Sequence, residues 1–539
     1  MSKKLLSVLL LVLSCIALVV MLYSSTGQQR LSQLYVSSDT WDELIAARQP
    51  FEPLQYQTTL FGEVYFNGYP LAVDLRENML MYSLIEDDPQ AYDPFVRVAP
   101  GHILAKVAVM GDEITDEMIR NNGTIQIMVY TPNYYSIFQL KCTTLPIIEI
   151  ETAPWDIHWE DTPTRFRMFD NRKGVTNRTI TSAASIHVRG GVSRSYHKNG
   201  YKLQLKTESA GNNFRNRHVS LLGLRQDDDW VLNCLYSDKD VVRDVFSTNL
   251  WYASSANRNE FGVVNGTQYR YVEAFYGENY WGIYAICSPI DEKQVELSDG
   301  EHMYRKINPY AVETEIDFET RGEPIDGYEY RAGSLEGEDW EPLRLYYHTL
   351  LSLSPDIGDE LYKIVDIENA IDLFLFLNMV QGIDHANLRG KNAIYNQFLT
   401  AKKTPDGTLK MLFTPWDMDN TWGMVFGNYE MDPSANVIME TNVVARLMEL
   451  GDEQIVKRTI DRYWELRESV WSEEYMENMI LDMEEDVFDS GAYARDYKLF
   501  HQGKESSQEI RYSEFINYVY DRLWYMDDYI DNLAYEWGF

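Results

Sequence analysis

Residues 382–423 read GIDHANLRGKNAIYNQFLTAKKTPDGTLKMLFTPWDMDNTWG, and the interpretation of the whole chain starts from this stretch. Its pattern predicts a strand over residues 393–400, a turn at Pro405-Asp406-Gly407, and a second strand over residues 409–414. The very apolar run just before it, residues 367–380, predicts a buried helix. The sequence therefore predicts a hairpin that directly follows a buried helix.

Polar side chains meet at one end of that predicted hairpin. Folding it about its turn places Asp417 opposite Asn396, at the end where Asp384 and Asn392 lie. Two acids and an asparagine suit Mg²⁺ and a phosphoryl group, because hard cations prefer oxygen ligands. The hairpin end is thus a candidate metal site.

Composition limits the class of protein. A length of 539 residues predicts two to four domains, and the net charge of −35 argues against a nucleic-acid backbone as main partner. Four cysteines, one of them Cys15 in an apolar run, give no disulfide framework and at most one bridge. No histidine or cysteine spacing typical of zinc sites is present.

The N-terminus carries a segment that could cross a membrane. Lys3 and Lys4 precede an apolar run over residues 5–22, which is just long enough to span a bilayer. We favour an uncleaved anchor over a cleaved signal peptide, because no small-residue cleavage site is obvious. The lysines predict a cytoplasmic N-terminus and an extracytoplasmic remainder, secreted if the segment is cleaved.

The predicted domain organisation has three parts. Residues 1–27 are the cytoplasmic stub and anchor, and residues 28–145 show period-2 runs that predict a mostly-β accessory module. Residues 146–539 form the predicted main domain, which reads as helical from about residue 436.

A basic island interrupts the acidic chain. Residues 164–226 hold thirteen Lys/Arg and two acids, so this segment carries +11 and the remainder −46. A solvated face is one explanation, but the segment also contains Arg189-Gly190-Gly191-Val192-Ser193, followed by Lys198 and then by a strand bearing Lys202 and Lys206. Glycines let backbone amides approach a phosphate, and Ser and Lys side chains can complete such a site. The island therefore predicts an anion site.

Other local patterns are ordinary. Residues 269–286 predict a hairpin that turns at Gly277-Glu278-Asn279, and Ser237 or Asp238 is a good N-cap for a helix toward Ser254. The acidic triplet, residues 227–229, is either a metal site or, as we favour, a solvated loop. Residues 304–341 read as a loop.

Taken in order, these pieces resemble the CotH kinase family, the spore coat protein H-like atypical protein kinases. The matching motifs are Arg189-Gly190 with Ser193, Lys198 and Tyr201; Asp229-Trp230-Val231-Leu232-Asn233; Asp238 with Arg243; Val272-Glu273 with Tyr280-Trp281-Gly282-Ile283-Tyr284; Asp384; Lys391-Asn392 with Tyr395; and Trp416-Asp417-Met418-Asp419 with Trp422-Gly423. Protein kinases order a catalytic Asp, an Asn, a hairpin and a metal-binding Asp similarly.

The resemblance implies an α+β chain with a divergent protein-kinase-like catalytic domain and a helical C-terminal part. It implies transfer of the ATP γ-phosphate to Ser or Thr of a protein substrate, with Mg²⁺ or Mn²⁺. The roles it implies are Asp384 as catalytic base; Asp417, Asn392 and Asp419 at the metal; and Arg189, Gly190, Ser193, Lys198 and Lys202 at the phosphates, with Glu273 pairing one of the cations.

Two alternatives stay open. One is an extracytoplasmic binding or scaffold protein on the same fold, with catalysis weak or lost, which the anchor and the scarcity of ATP outside cells favour. The other is a glycosidase that uses Asp384 and Asp417 as its carboxylate pair, which leaves the basic island unexplained.

Overall fold

The computed structural model describes residues 29–51, 62–99, 105–207, 215–308, 316–317, 320, 323–333, 338–385, 395–425, 429–435, 442–501 and 506–539. The predicted membrane segment, residues 5–22, lies outside these ranges, and so does Asn392. Within them, no helix combines the length and the apolar character needed to cross a bilayer.

The N-terminal part of the chain forms two small sheets around one apolar core. The first sheet has the order β1 (Gln29–Arg30), β7 (Phe95–Ala99), β3 (Glu63–Phe66), β4 (Tyr69–Pro70). The second has the order β5 (Ala72–Asp74), β6 (Met79–Ser83), β10 (Tyr134–Thr143), β9 (Ile125–Tyr130), β8 (Lys106–Met110), with β2 (Gln49–Pro50) pairing β10. Helices α1 (Ser38–Ala46) and α2 (Asp116–Arg120) accompany them. The period-2 runs seen in the sequence are therefore strands.

A closed seven-stranded barrel follows. Its strands are β11 (Ile147–Ile150), β12 (Thr162–Phe169), β13 (Thr179–Arg189), β14 (Gly200–Lys206), β15 (Asp229–Asn233), β17 (Tyr280–Cys287) and β16 (Arg270–Tyr276), in that spatial order. Parallel pairing of β16 with β11 closes it. Alternate residues of β14 point inward, so Tyr201, Leu203 and Leu205 are buried in the interior with Trp230. Both hairpins predicted in this region, β13–β14 and β16–β17, are confirmed.

After the barrel comes a four-stranded sheet with the order β19 (Tyr328–Ala332), β18 (His302–Lys306), β20 (Gln397–Lys403), β21 (Leu409–Pro415). A short pair of strands, β22 (Met424–Val425) and β23 (Tyr429–Glu430), follows it. The β20–β21 hairpin is the one predicted from the opening stretch, and its first strand begins at Gln397. The prediction of a loop over residues 304–341 is wrong at two places. There, Tyr304 and Tyr328 are buried in strands of this sheet.

Helices cover this sheet and form the C-terminal part. They are α3 (Arg243–Ser254), α4 (Glu341–Leu350), α5 (Ile357–Ile364), α6 (Ile367–Met379), α7 (Val443–Glu449), α8 (Glu453–Arg467), α9 (Glu473–Glu484), α10 (Ala492–Phe500) and α11 (Ser513–Trp537). One apolar core joins them to the β19–β18–β20–β21 sheet and to one side of the barrel. Helix α6 is buried on nearly all sides, as its sequence predicts. The chain is thus a mixed α+β protein; its likeness to a protein kinase stays a prediction.

Helix α3 begins later than predicted. Its first residue is Arg243, and neither Ser237 nor Asp238 is its N-cap residue. Asp238 nevertheless accepts hydrogen bonds from the backbone N–H groups of Val242 (2.9 Å) and Arg243 (2.7 Å). A carboxylate stabilises the unpaired amides at a helix N-terminus, and here it does so from four residues upstream. The Ser237 hydroxyl instead donates a hydrogen bond to Asp419.

Helix α10 ties distant parts of the chain together through two buried ion pairs. Arg495 donates to both carboxylate oxygens of Glu273 on β16, each at 2.8 Å, and to Asn122 of the N-terminal part at 3.1 Å. The neighbouring Asp496 accepts from Lys198, which is fully buried, and from the backbone N–H of Ile283. Buried charges need such partners, because an unpaired one carries a large desolvation cost.

Candidate functional site

The β20–β21 hairpin places Asp417 at the predicted end, the end opposite its turn. Gln397 pairs with Pro415, and the backbone N–H of Trp416 donates to the carbonyl of Asn396 at 2.9 Å, so Asp417 lies one residue beyond the predicted partner. Asp417 has a φ of 64°, in the left-handed region that costs a non-glycine residue free energy. The chain therefore turns sharply at this aspartate instead of continuing the strand.

Asp384 reaches the same place from helix α6. After the helix ends, a tight turn is closed by the N–H of His385, which donates to the carbonyl of Gly382 at 2.9 Å. The His385 ring is buried, and burial lowers its pKa to about 4, so the imidazole is neutral. Its Nε2 donates to the carbonyl of Trp416 at 2.8 Å, which fixes Asp384 beside the strand end that carries Asp417.

Asn420 links the acids by hydrogen bonds. Its Nδ2 donates to Asp384 Oδ2 at 3.0 Å and to Asp419 Oδ1 at 2.9 Å. The other oxygen of Asp419 accepts from the Ser237 hydroxyl at 2.7 Å. Asp384 and Asp419 are thus held by one amide. Of the four residues predicted as catalytic base or at the metal, the structure brings together Asp384, Asp417 and Asp419. The fourth, Asn392, lies outside the described residues.

A fourth acid belongs to the cluster and was not predicted. Asp244, in the first turn of α3, is buried and accepts from the N–H of Met418 at 3.0 Å and from Asn233 Nδ2 at 2.5 Å. Burial, followed by the nearby charge of Asp417, raises the pKa of Asp244 to about 7. An acid in a first helical turn is ordinary in sequence, so only the fold reveals this contact.

The electrostatics of the cluster favour a bound cation. Burial raises the pKa of Asp419 well above its usual range, and the charges of Asp417 and Asp244 add to that effect. Oxygen donors that repel one another are a suitable set for a hard divalent cation. Three ligand atoms within 4.8 Å of one another do not occur among these acids in the described part of the chain. Mg²⁺ usually takes one or two carboxylates and completes its shell with water and phosphate oxygens, so it does not require three converging protein ligands.

The glycine turn of the basic island lies next to the acids. Arg189 ends strand β13, and its guanidinium carbon is 5.2 Å from the centre of the Trp416 ring. Gly190 has a φ of 112°, and a Cβ built on it would lie 2.0 Å from the Ser193 hydroxyl oxygen. Glycine is therefore required at this position. The turn places one cation, Arg189, against the residue that precedes Asp417.

Three other predicted phosphate-site residues have partners within the fold. The ammonium of Lys198 is fully buried and bonded to Asp496, so its predicted role would require this ion pair to open. Lys202 is partly exposed and lies 3.4 Å from Asp229. Glu273 pairs with a cation, but the partner is Arg495 of α10 and not one of the lysines of the basic island. A partner so distant in sequence has no local signal.

The acidic triplet is not a solvated loop, contrary to our preference. Asp227 and Asp228 are buried, and Lys293 lies 2.5 Å from one and 3.0 Å from the other. Two sets of potential metal ligands occur among the described residues here, one with His218 and one with Asp291. Because Lys293 already neutralises these carboxylates, the cluster is explained as an internal ion-pair network.

Comparison with known proteins shows the family of the chain. Residues 186–526 match the family model described as CotH kinase protein, which begins within β13 and ends within α11. A search of curated proteins finds no match. The matched segment contains the glycine turn, the β16–β17 and β20–β21 hairpins and all four acids of the cluster. Since it covers more than half of the chain, the protein belongs to the CotH kinase family.

Proposed function

We propose that the protein is a membrane-anchored protein kinase that transfers the γ-phosphate of ATP to Ser or Thr of a protein substrate, with Mg²⁺ or Mn²⁺. The observation that carries this proposal is the joining of Asp384 and Asp419 by Asn420, with Arg189 packed on the ring of Trp416, the residue before Asp417. Acids for a metal and a cation for phosphates at one strand end are what a metal nucleotide requires.

Each residue has a distinct part in the proposed reaction. The oxygen of the substrate hydroxyl bonds to the γ-phosphorus of ATP, and ADP leaves. Asp384 accepts the proton that this hydroxyl loses. Asn420 orients that carboxylate through its 3.0 Å hydrogen bond. Asp417, supported by Asp419, would hold the metal, which when bound neutralises charge on the phosphate oxygens. Arg189 would bind the phosphates, and Gly190 with Ser193 shapes the turn that brings Arg189 there.

A binding or scaffold role on the same fold is the second candidate. It is favoured by Lys198, whose ammonium is buried in an ion pair with Asp496 and is not presented to solvent. A phosphate-binding lysine must reach its ligand. A protein in which the Lys198–Asp496 ion pair stays intact would therefore bind a metal nucleotide weakly, or bind it without transferring phosphate.

Phosphate transfer from labelled ATP distinguishes the two candidates. The full chain, purified in mild detergent because of residues 5–22, is incubated with ATP and Mg²⁺ or Mn²⁺. We expect label on the chain itself or on an added protein, and a 10²- to 10⁴-fold loss in Asp384→Asn. Asp417→Asn should lose transfer and the dependence on metal concentration. Asp406→Asn is the matched control, because Asp406 lies in the exposed turn at the opposite end of the same hairpin.

Three results have clear meanings. Equal labelling by the wild type and by both site variants would refute the kinase assignment. Metal-dependent ATP binding without transfer would support the scaffold alternative. Transfer that is lost in both site variants and kept in Asp406→Asn would support the kinase.

A further inference from the structure

Arg305 has a partly buried guanidinium for which the described residues supply no hydrogen-bond acceptor. It lies on β18 directly opposite Phe398 of β20, with its guanidinium carbon 5.5 Å from the centre of that ring. Its Nε is buried and has no hydrogen-bond partner. Within the described ranges, no carboxylate forms an ion pair with Arg305, whereas Arg331 on the adjacent strand pairs with Glu329 at 2.7 Å.

Arg225, Arg243 and Arg446 also have a buried Nε without a hydrogen-bond partner, but each of them pairs through a terminal nitrogen, and no such pair is found for Arg305 among the described residues. Arg495 has both oxygens of Glu273, and Arg462 has both oxygens of Asp372 at 2.8 and 3.0 Å. Arg522 donates to four backbone carbonyls. A buried guanidinium normally has acceptors because its donors are costly to leave unpaired. An arginine that lacks them indicates a ligand that supplies them.

The position of Arg305 suggests which ligand. The rings of Phe398 and Trp416 pack edge to face with centres 6.4 Å apart, and Arg189 lies over Trp416 as Arg305 lies over Phe398. The two guanidiniums therefore flank one aromatic pair, from two different sheets. Burial lowers the pKa of Arg305 most, and the nearby charge of Arg189 lowers it further. The charge of Asp417 is close enough to raise it.

Two cations beside a candidate metal ligand match a polyphosphate better than a single carboxylate. A carboxylate would satisfy one guanidinium and would be repelled by Asp417. A chain of phosphates offers separate oxygens to two guanidiniums and to a metal, and planar guanidiniums bind phosphate through paired hydrogen bonds. We propose that Arg305 is a second phosphate-binding residue that, with Arg189, holds the triphosphate of ATP opposite Asp417. This inference rests on the proposed function.

The test measures binding and not catalysis. Calorimetric titration of the full chain in mild detergent with Mg²⁺ and a non-hydrolysable ATP analogue compares the wild type, Arg305→Met and Arg331→Met. Losing a charge-assisted pair of hydrogen bonds should weaken binding by about 10- to 100-fold in Arg305→Met. Arg331→Met, which removes the same charge from the same sheet, should bind within about twofold of the wild type.

The melting temperature separates a lost contact from a damaged fold. Arg305→Met removes an unpaired guanidinium, so its melting temperature without nucleotide should equal or exceed that of the wild type. An unchanged affinity in Arg305→Met, with a wild type that binds, would overturn this inference and leave the kinase proposal standing. A wild type that binds no nucleotide would overturn both. Weaker binding by a variant that melts well below the wild type would also count against a phosphate contact.

Discussion

Asp244 should make the stability of the protein fall as pH rises toward neutrality. Its pKa is about 7 in the folded protein against an ordinary value of 3.8, so the folded chain binds this proton more tightly than the unfolded chain does. Stability from this group is therefore complete below about pH 4 and is lost as pH rises to 7. The substitution Asp244→Asn keeps an oxygen that can accept from Met418 and removes the titration.

The size of the effect follows from that pKa difference. Between the two pKa values the free energy of unfolding falls by about 1.4 kcal/mol per pH unit. From pH 5.5 to pH 8 only the portion up to 7 contributes, which amounts to about 2 kcal/mol. Urea unfolding of the wild type and of Asp244→Asn at these two pH values, in EDTA, measures the difference. We expect the wild type to lose about 2 kcal/mol more than the variant.

Magnesium provides the link to the site. A cation near Asp417 would lower the pKa of Asp244, so Mg²⁺ should reduce the pH dependence in the wild type and have less effect in Asp244→Asn. Asp486 is a matched control, because burial and Glu485 raise its pKa to about 7 as well. Asp486→Asn should also flatten the pH dependence but should keep the Mg²⁺ response. Equal losses between pH 5.5 and 8 in the wild type and in Asp244→Asn would refute this reasoning.

Other substitutions test the geometry. Gly190→Ala should cost about 1–3 kcal/mol of unfolding free energy and weaken ATP binding, because its φ is 112° and a Cβ would overlap the neighbouring serine hydroxyl. Gly358→Ala, in helix α5, where the added Cβ would lie 3.7 Å from the nearest side-chain atom, should lower neither quantity in the same melts and titrations. Asn420→Ala should lower kcat about tenfold with little change in KM for ATP, since it orients the proposed base without touching nucleotide. Glu273→Gln should lower the urea-unfolding free energy by about 3–5 kcal/mol by leaving Arg495 buried without its counter-charge; a loss below about 1 kcal/mol would contradict that.

Local patterns predicted the hairpins because they depend on neighbours in sequence. Alternation along β14 assigns Tyr201 to the interior, and the turn at Pro405-Asp406-Gly407 sets the pairing of β20 with β21. Once that pairing is known, the return of Asp417 to the end near Asp384 follows from geometry. The central pair of the site was predictable for this reason.

The remaining site residues depend on contacts that no local pattern contains. Lys198 reads as an accessible lysine just before a strand, but its partner Asp496 is 298 residues away. Asp244 reads as a helix N-terminal acid, and Arg305 falls in a segment whose polar composition predicts a loop. For each of these residues, burial is decided by packing between elements far apart in the chain.

The adjacent ion pairs of helix α10 limit how this protein can vary. Arg495 and Asp496 are consecutive, and each neutralises a buried charge of the barrel, Glu273 and Lys198 respectively. Removing the helix would leave Glu273 and Lys198, two opposite charges, without their partners, so the C-terminal helices cannot be deleted as an independent appendage. Among natural relatives, the four positions should change in matched pairs, and an exchanged sign on the barrel should be accompanied by the reverse exchange on the helix.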